Sequence, residues 1–234
     1  MRDKIKNKLY FDKYIERQMK RVLIYSADVN DGQIKEDRIQ AVKSLINNID
    51  VNIMIAKYSR GDDIDEIGEI YEDVFPKWLE VFEPDYYNKN IKMLSIGICL
   101  GVSKNSIMKV YEMLCTSRKE DWLYEFLVKS YIGQEVDDDI ELLFKKQYGK
   151  LKKIIIESDG IMGIKNYLSK NWYNANVENY NAHNLSNNNY YGYWSFEVGA
   201  IVKLLGLDDT ILKDMKYYPY DLVHYKEERD GIIQ

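Results

Sequence analysis

The segment from Asp62 to Asp85 repeats its apolar side chains at the spacing of a helix that packs along its whole length. They fall at i, i+3, i+7, i+10, i+11, i+14, i+15 and i+18, whereas a strand would need apolar residues at alternate positions. These residues are Ile64, Ile67, Tyr71, Val74, Phe75, Trp78, Leu79 and Phe82. Pro76 lies within the stripe, and because the stripe keeps its phase across the proline, we expect a kink rather than a break.

Helical spacing recurs along most of the chain. The other predicted helices cover residues 5–27, 36–58, 90–102, 104–116, 120–132, 140–156, 161–173 and 193–205. Three prolines and 13 glycines provide few turn residues for a many-stranded fold. We therefore predict an all-α fold, a helical bundle of about ten helices in an N-terminal and a C-terminal part. The 21 tyrosines predict hydroxyl hydrogen bonds in the interior or at an interface.

The polar link at residues 116–120 halves the chain and is our predicted domain boundary. An N-terminal helical domain would then cover residues 1–118 and contain the acidic helix 62–85. A C-terminal helical domain would cover residues 119–234.

The polar side of helix 62–85 is strongly acidic. It holds ten carboxylates and one lysine, a net charge of −9, whereas the whole chain carries −5. Such a surface repels nucleic acid and speeds association with a basic partner. The carboxylates predicted to contact a partner are Asp62, Asp63, Asp65, Glu66, Glu69, Glu72, Asp73 and Glu80. The alternative is an ordinary solvated helix face whose first acids stabilise the helix dipole.

Residues 190–222 read YYGYWSFEVGAIVKLLGLDDTILKDMKYYPYDL. Residues 193–205 are apolar or small around most of the helix circumference, which predicts a central, buried helix. Gly206 is its predicted C-cap, and Asp208 or Asp209 is the predicted N-cap of a short helix that follows. Pro219 predicts an extended turn.

Glu197 lies in the predicted buried helix, so its carboxylate must be paired or hydrogen-bonded. Tyrosine hydroxyls and Lys203 are the available kinds of partner. A buried glutamate beside aromatic residues also resembles a catalytic acid with a raised pKa, which leaves a catalytic interpretation open.

Common catalytic and ligand-binding motifs are absent from the sequence. His183 and His224 stand in no GluxxHis or HisxxxHis spacing, and there is no GxSxG, GxxxxGK[ST] or GxGxxG. Basic residues are scattered rather than clustered. We therefore predict no metal, no cofactor and no direct binding of nucleic acid.

The N-terminal residues mix both charge signs and lack the apolar stretch of a signal peptide. No run approaches the roughly 20 apolar residues of a membrane span. We therefore expect a cytoplasmic protein that does not contact a membrane.

The C-terminal half resembles a known family. The resemblance rests on Trp172 and Tyr173, on YYGYWSFE from Tyr190, on the LLGLDD that follows, and on YYPYDL from Tyr217. It resembles the C-terminal domain of the PoNi family, bacterial immunity proteins that neutralise polymorphic nuclease (PoNe) toxins. Its motif residues here are Trp172, Tyr191, Gly192, Tyr193, Trp194, Glu197, Asp208, Tyr218, Pro219 and Asp221.

The resemblance implies a helical, non-enzymatic immunity protein with an N-terminal and a C-terminal part. Such proteins protect the toxin-producing cell and its kin from a secreted DNase of the PD-(D/E)xK type, and so act in competition between bacteria. By this resemblance we expect the chain to bind its cognate toxin and mask the DNA-binding or active site. The N-terminal half is similar to the family only in being helical and carrying an acidic segment.

Two other functions stay open at this point. A helical hydrolase would use the acidic cluster and Glu197, and a scaffold protein would form homo-oligomers through a tyrosine-rich surface. A homodimer is compatible with any of these functions.

Overall fold

In the computed structural model, residues 1–117, 120–176, 178 and 180–225 are described, and they form helices joined by turns, without a strand. The α-helices are α1 (Lys8–Asn30), α2 (Glu36–Arg60), α3 (Ile64–Glu80), α4 (Tyr87–Leu100), α5 (Lys104–Ser117), α6 (Trp122–Ile132), α7 (Lys145–Ile156), α8 (Gly160–Tyr167), α9 (Tyr173–Asn176), α10 (Phe196–Leu205) and α11 (Tyr220–Val223). A π-helical turn covers Leu168–Trp172, and 3₁₀ turns cover Ala182–Asn184 and Thr210–Leu212. The all-α prediction is confirmed.

Several local predictions differ from the structure. The predicted helices 140–156 and 193–205 begin later, at Lys145 and Phe196, and two predictions that involve prolines also differ. The predicted helix 62–85 continues through Pro76 but ends at Glu80, where short-range turn bonds begin and Pro84 disfavours further helix. The extended turn predicted at Pro219 is wrong, because this proline directly precedes the first turn of α11. A proline fits there because the first amides of a helix need no partner within it. Among the described residues, no helix is long and apolar enough to cross a membrane.

One compact unit consists of residues 1–83 together with 181–192. Helices α1 and α2 form an antiparallel hairpin, and α3 packs against α2. The amide of Asn47 donates to the carbonyl of Val74 (3.3 Å), and the amide of Gln40 donates to that of Glu80 (2.8 Å). These two bonds show that α3 runs antiparallel to α2.

The segment 181–192 comes from the second half of the sequence but packs into this first unit. Tyr190 is 1% exposed, and its hydroxyl donates to the buried carboxylate of Asp3. Its carbonyl accepts from the Tyr10 hydroxyl (3.0 Å), and the carbonyl of Tyr191 accepts from the Ser59 hydroxyl (2.9 Å). These bonds attach the segment to the first residues of the chain and to the end of α2.

The second compact unit consists of residues 84–180 together with those from Tyr193 onward. Helix α4 lies at its centre, in contact with α5, α6, α10 and α11. Every residue of α10 from Phe196 to Val202 is buried, which confirms the predicted central helix. The two units are sets of residues that contact one another, which does not make them parts that fold independently. The predicted domain boundary at residue 118 therefore stays a prediction.

We predict that Tyr190→Phe destabilises the protein by about 1–3 kcal/mol. The substitution keeps the ring but removes the hydroxyl that donates to Asp3, whose carboxylate is 5% exposed. Urea unfolding followed by circular dichroism measures the loss. Tyr180→Phe is the control, because Tyr180 is 62% exposed, and an equal loss in both variants would contradict the assignment.

Candidate functional site

Helix α3 presents its acidic side chains on the side opposite its buried residues. Ile67, Tyr71, Val74 and Trp78 are 1–2% exposed and anchor the helix to its unit. The predicted contact residues on the exposed side are Asp63, Glu66, Glu69, Glu72, Asp73 and Glu80, with Asp65 partly exposed. The structure therefore brings these predicted residues onto one surface.

Asp62 differs from the other predicted contact residues. Its side chain is 11% exposed, and its carboxylate accepts two hydrogen bonds from Arg60, at 2.7 and 2.5 Å. Arg60 also donates to Asp12 on α1 at 2.7 Å, and its bonds to these carboxylates, to Asp62 foremost, raise the pKa of the guanidinium. Asp62 thus joins the start of α3 to the hairpin.

Three more acids have partners within the unit. Asp63 accepts from the Asp65 amide (2.8 Å) and so caps α3, which satisfies an amide at the start of the helix. Asp73 pairs with Lys77 at 2.6 Å, and Glu80 lies 3.8 Å from Lys43. Exposed pairs of this kind contribute little to stability, about 0–1 kcal/mol each.

Glu66, Glu69 and Glu72 form the least compensated part of the acidic surface. They follow one another at spacings of three residues, are exposed, and make no ion pair or side-chain hydrogen bond within the described residues. Like charges three residues apart destabilise a helix by about 0.2–0.5 kcal/mol per pair. Glu69 and Glu72 lie beyond the first turn and therefore do not stabilise the fold, whereas Glu66 lies in the first turn, where an acid favours the helix dipole.

Sequence reasoning missed Asp50 on α2. Burial raises the pKa of this carboxyl, the charge of Lys77 lowers it, and the charge of Asp73 raises it further. Asp50 thus lies close enough to the acidic side of α3 to share its electrostatic field. The helical pattern placed it on α2, but no sequence signal showed which side of α2 would face α3.

The motif carboxylate Glu197 is buried in the second unit, at 7% exposure. Its Oε1 accepts from the indole N–H of Trp172 at 2.6 Å and from the Ser195 hydroxyl at 2.9 Å. Burial raises the pKa of Glu197, and hydrogen bonds, including those from Trp172 and Ser195, partly oppose the increase. The partners of the Glu197 carboxylate are thus an indole and a serine hydroxyl, and not the tyrosine hydroxyls or Lys203 that the sequence suggests.

The YYGYW motif divides between the two units. Tyr191 and Gly192 belong to the first unit, whereas Tyr193 and Trp194 belong to the second. Gly192 has φ of 118°, a conformation that residues with a side chain rarely adopt. The ring of Tyr193 packs edge-on against Tyr173, at 5.3 Å between centroids.

The two adjacent aspartates after α10 have different environments. Asp208 is exposed and accepts from the Thr210 amide (3.1 Å), so it caps the 3₁₀ turn. Asp209 is 3% exposed, accepts from the Tyr218 hydroxyl and lies 2.9 Å from Nε2 of His224. Asp209 thus belongs to a buried hydrogen-bond network, whereas sequence reasoning assigned it only as an alternative cap.

The remaining motif residues complete this part of the second unit. Pro219 is buried and packs against Gly199, where an added Cβ would lie 2.8 Å from Cγ of the proline. Asp221 is exposed at the start of α11. Most motif residues are therefore buried in the interior or hydrogen-bonded within it.

The described residues hold no group of three or more His, Cys, Asp or Glu side chains that could bind a metal ion. What the geometry does provide is one exposed acidic surface on α3 and an interior of hydrogen-bonded carboxylates. The exposed surface suits electrostatic contact with a basic partner.

Two family models match the chain. The model for PoNe immunity proteins (PoNi), C-terminal, matches residues 119–222, and the model for the N-terminal part of the same proteins matches residues 2–112. The chain is also similar to the crystal structure of Protein PA2201 from Pseudomonas aeruginosa. That likeness has a TM-score of 0.65 and 19% identity over 82% of this chain and 76% of the other, and it shows the fold. No curated protein matches.

We predict that Gly199→Ala destabilises the protein by about 1–3 kcal/mol, because the new methyl group would overlap Pro219. Gly149→Ala is the matched control: Gly149 lies within α7, and an added Cβ would meet nothing within 4 Å. There the better helix propensity of alanine should stabilise by about 0.5–1 kcal/mol. Thermal and urea unfolding measure both, and the same sign for both variants would refute the close-packing argument.

We predict that Glu197→Gln gains stability relative to the wild type as the pH rises from about 4 to about 8. Burial raises the pKa of Glu197 in the folded state. The wild type therefore loses stability as the pH rises from the unfolded pKa through the folded one, and glutamine cannot ionise. Urea unfolding of both proteins across this range measures the difference, and a difference independent of pH would contradict the prediction.

Proposed function

The chain belongs to the PoNi family of PoNe immunity proteins, and we propose from this that it binds and neutralises a cognate secreted DNase toxin of the PD-(D/E)xK type. The family implies a toxin partner and favours a binding role without catalysis. We propose that the protein acts in the cytoplasm, where a nuclease that enters the cell would meet its DNA.

The acidic surface of α3 is the proposed contact surface for this toxin. The observation that carries the proposal is the run of Glu66, Glu69 and Glu72, exposed carboxylates with no partner in the described structure. The repulsion between these acids destabilises the helix, and for Glu69 and Glu72, which lie beyond its first turn, the helix dipole does not offset it. A basic partner would reduce this repulsion and form favourable interactions between its cations and the three carboxylates.

The proposed mechanism is competition with DNA for the basic surface of the nuclease. A DNA-binding cleft carries lysine and arginine side chains that neutralise phosphates. A row of carboxylates on a rigid helix can occupy those side chains, and once bound it repels incoming DNA. The field of the row also speeds the encounter with the toxin, and salt weakens this effect.

The other predicted residues fit two supporting roles. Asp62 and Asp63 position α3, through the Arg60 pair and the helix cap, and Asp73 and Glu80 extend the acidic surface beside their lysine partners. The largely buried C-terminal motif holds the fold. We assign no toxin contact to Trp172, Glu197 or Tyr218, since all three are buried.

We predict that the triple variant Glu66→Lys, Glu69→Lys, Glu72→Lys weakens toxin binding on the order of 10- to 100-fold, mainly through slower association. The matched control is Glu120→Lys, Glu135→Lys, Asp139→Lys, which changes the net charge equally at three exposed acids of the second unit. Surface plasmon resonance at low and high salt measures both, and a DNA-cleavage assay with the purified toxin measures protection.

Co-purification of the wild type with the toxin comes first, because its failure would contradict the immunity function itself. If the wild type binds and both triple variants bind as tightly, the immunity function stands and the acidic surface is the wrong site. Equal weakening in both variants would mean that net charge, rather than the α3 surface, controls binding.

A further inference from the structure

Lys89 on α4 ends in a nitrogen atom that is buried and has no partner. Its side chain is partly buried, but its Nζ is enclosed by the protein and donates to no acceptor among the described residues. By contrast, Lys203 of the same unit donates from its Nζ to the carbonyls of Cys99, Val223 and Tyr225. An unpaired buried charge is strongly unfavourable, so such a group tends to lose its charge. The position of Lys89 therefore favours the neutral amine.

Lys92 brings a second positive charge close to Lys89. It follows one turn later on the same side of α4, and its Nζ pairs with a carboxylate oxygen of Glu178 at 2.7 Å. Burial raises the pKa of Glu197 on α10, and the charge of Lys92 is among the influences that oppose this increase, so Lys92 lies near α10. Lys89 thus has a cation for a neighbour, while Glu178 is already paired with that cation.

This environment makes Lys89 more nucleophilic than an ordinary lysine. Burial, foremost, and the charge of Lys92 lower the pKa of Lys89 to about 8, and the charge of Glu178 opposes the decrease. At a pH of about 8 roughly half of Lys89 is therefore neutral, whereas a lysine with the usual pKa of about 10.4 is neutral to about 0.4%. The neutral amine is the form that attacks a carbonyl carbon, so its supply at Lys89 is increased on the order of 100-fold.

The surroundings of Nζ select among the electrophiles that react with an amine. A bulky acyl donor or a sugar aldehyde would have to displace packed side chains, whereas the small, linear and uncharged CO₂ can pass through their ordinary fluctuations. The charge of the product gives a second criterion. A protonated imine would be a second cation beside Lys92, and an amide would carry no charge, but a carbamate is an anion that Lys92 can pair with. CO₂ therefore fits Lys89 best in both size and product charge.

We propose that Lys89 is a site at which CO₂ binds reversibly and covalently as a carbamate. The lone pair of the neutral Nζ forms a bond to the carbon of CO₂, one C–O π pair moves onto oxygen, and a proton leaves Nζ for solvent. Nothing is oxidised or reduced, and the reverse reaction returns CO₂ and the amine. The two carbamate oxygens lie about 2 Å from Nζ and are suitable acceptors for the ammonium of Lys92.

Carbamate formation acts on the ion pair that attaches Glu178 to α4. The summed charge of Lys89, Lys92 and Glu178 changes from +1 with the ammonium form of Lys89 to −1 with the carbamate. The carbamate competes with Glu178 for Lys92, and the two anions repel each other. CO₂ would therefore weaken the attachment of Glu178 to α4. This site lies in the second unit and is independent of the toxin contact proposed for α3.

Carbon-13 NMR of the full chain in labelled bicarbonate tests the proposal at a pH of about 8, where Lys89 is about half neutral. We expect a carbamate signal that is lost in both Lys89→Arg and Lys89→Met, because neither side chain has a nucleophilic amine. The matched control is Lys150→Met, which removes an exposed lysine of α7 and should leave this signal unchanged. The α-amino group of Met1 can also form a carbamate, and its signal is common to the wild type and all variants.

Trapping the wild type with triethyloxonium locates the carbamate, because it yields a stable ethyl ester that peptide mass spectrometry assigns to one lysine. This measurement needs no variant, so it decides the question even if a substitution unfolds the protein, which circular dichroism would show. The absence of a trapped product on Lys89 overturns the proposal. So does a signal that persists in both Lys89 variants, or trapping at Lys89 and at exposed lysines in equal amounts, because Lys89 would then react as an ordinary amine.

Discussion

Each buried carboxylate in the described structure accepts a hydrogen bond from an aromatic side chain, and the fold depends on these bonds. The pairs are Asp3 with Tyr190, Tyr87 with Asp121, Tyr111 with Glu125, Trp172 with Glu197, and Tyr218 with Asp209. An unpaired buried carboxylate costs several kcal/mol, whereas a hydrogen bond to a charged group contributes about 1.5–3 kcal/mol. Aromatic donors suit this interior, because a ring fills apolar space while its O–H or N–H reaches the acid.

The distances along the chain between these partners explain how the two units are built. In the second unit Tyr87 and Asp121 are 34 residues apart, and Trp172 and Glu197 are 25 apart, so these bonds close local loops. Asp3 and Tyr190 are separated by 187 residues within the first unit. Because Tyr190 lies far along the sequence, the first unit can be completed only after most of the chain has been made, and closing this longer loop costs more conformational entropy. The helices α1 to α3 are local, but the segment that completes their core is not.

The elements that depend on a local pattern could be predicted from the sequence. The predictions failed where contacts between residues distant in sequence determine the structure. Helix α10 was predicted because its apolar residues surround the whole helix, and Gly206 was predicted as its cap because the left-handed conformation there favours glycine. Asp208 and Asp209 could not be told apart, since only the position of Tyr218 determines which one is buried. The sequence could not distinguish Asp62 from its exposed acidic neighbours. Its ion pair with Arg60, which also binds Asp12, depends on how α1 packs against α2. The role of Tyr190 in the first unit left no sequence signal at all.

The distribution of acids between interior and surface also bears on how a family of immunity proteins can keep one fold and bind different toxins. Replacing Glu197 or Asp209 by a residue without an acceptor would leave aromatic donors unsatisfied in the interior, so such a substitution alters the fold before it alters any partner. Glu66, Glu69 and Glu72 have no partner within the described structure, so their replacement leaves the packing of α3 unchanged. A surface that is free to vary on a helix that is fixed by Ile67, Tyr71, Val74 and Trp78 can follow changes in a partner without loss of stability. Specificity is therefore expected to lie in the exposed side of α3, even though the C-terminal motif identifies the family.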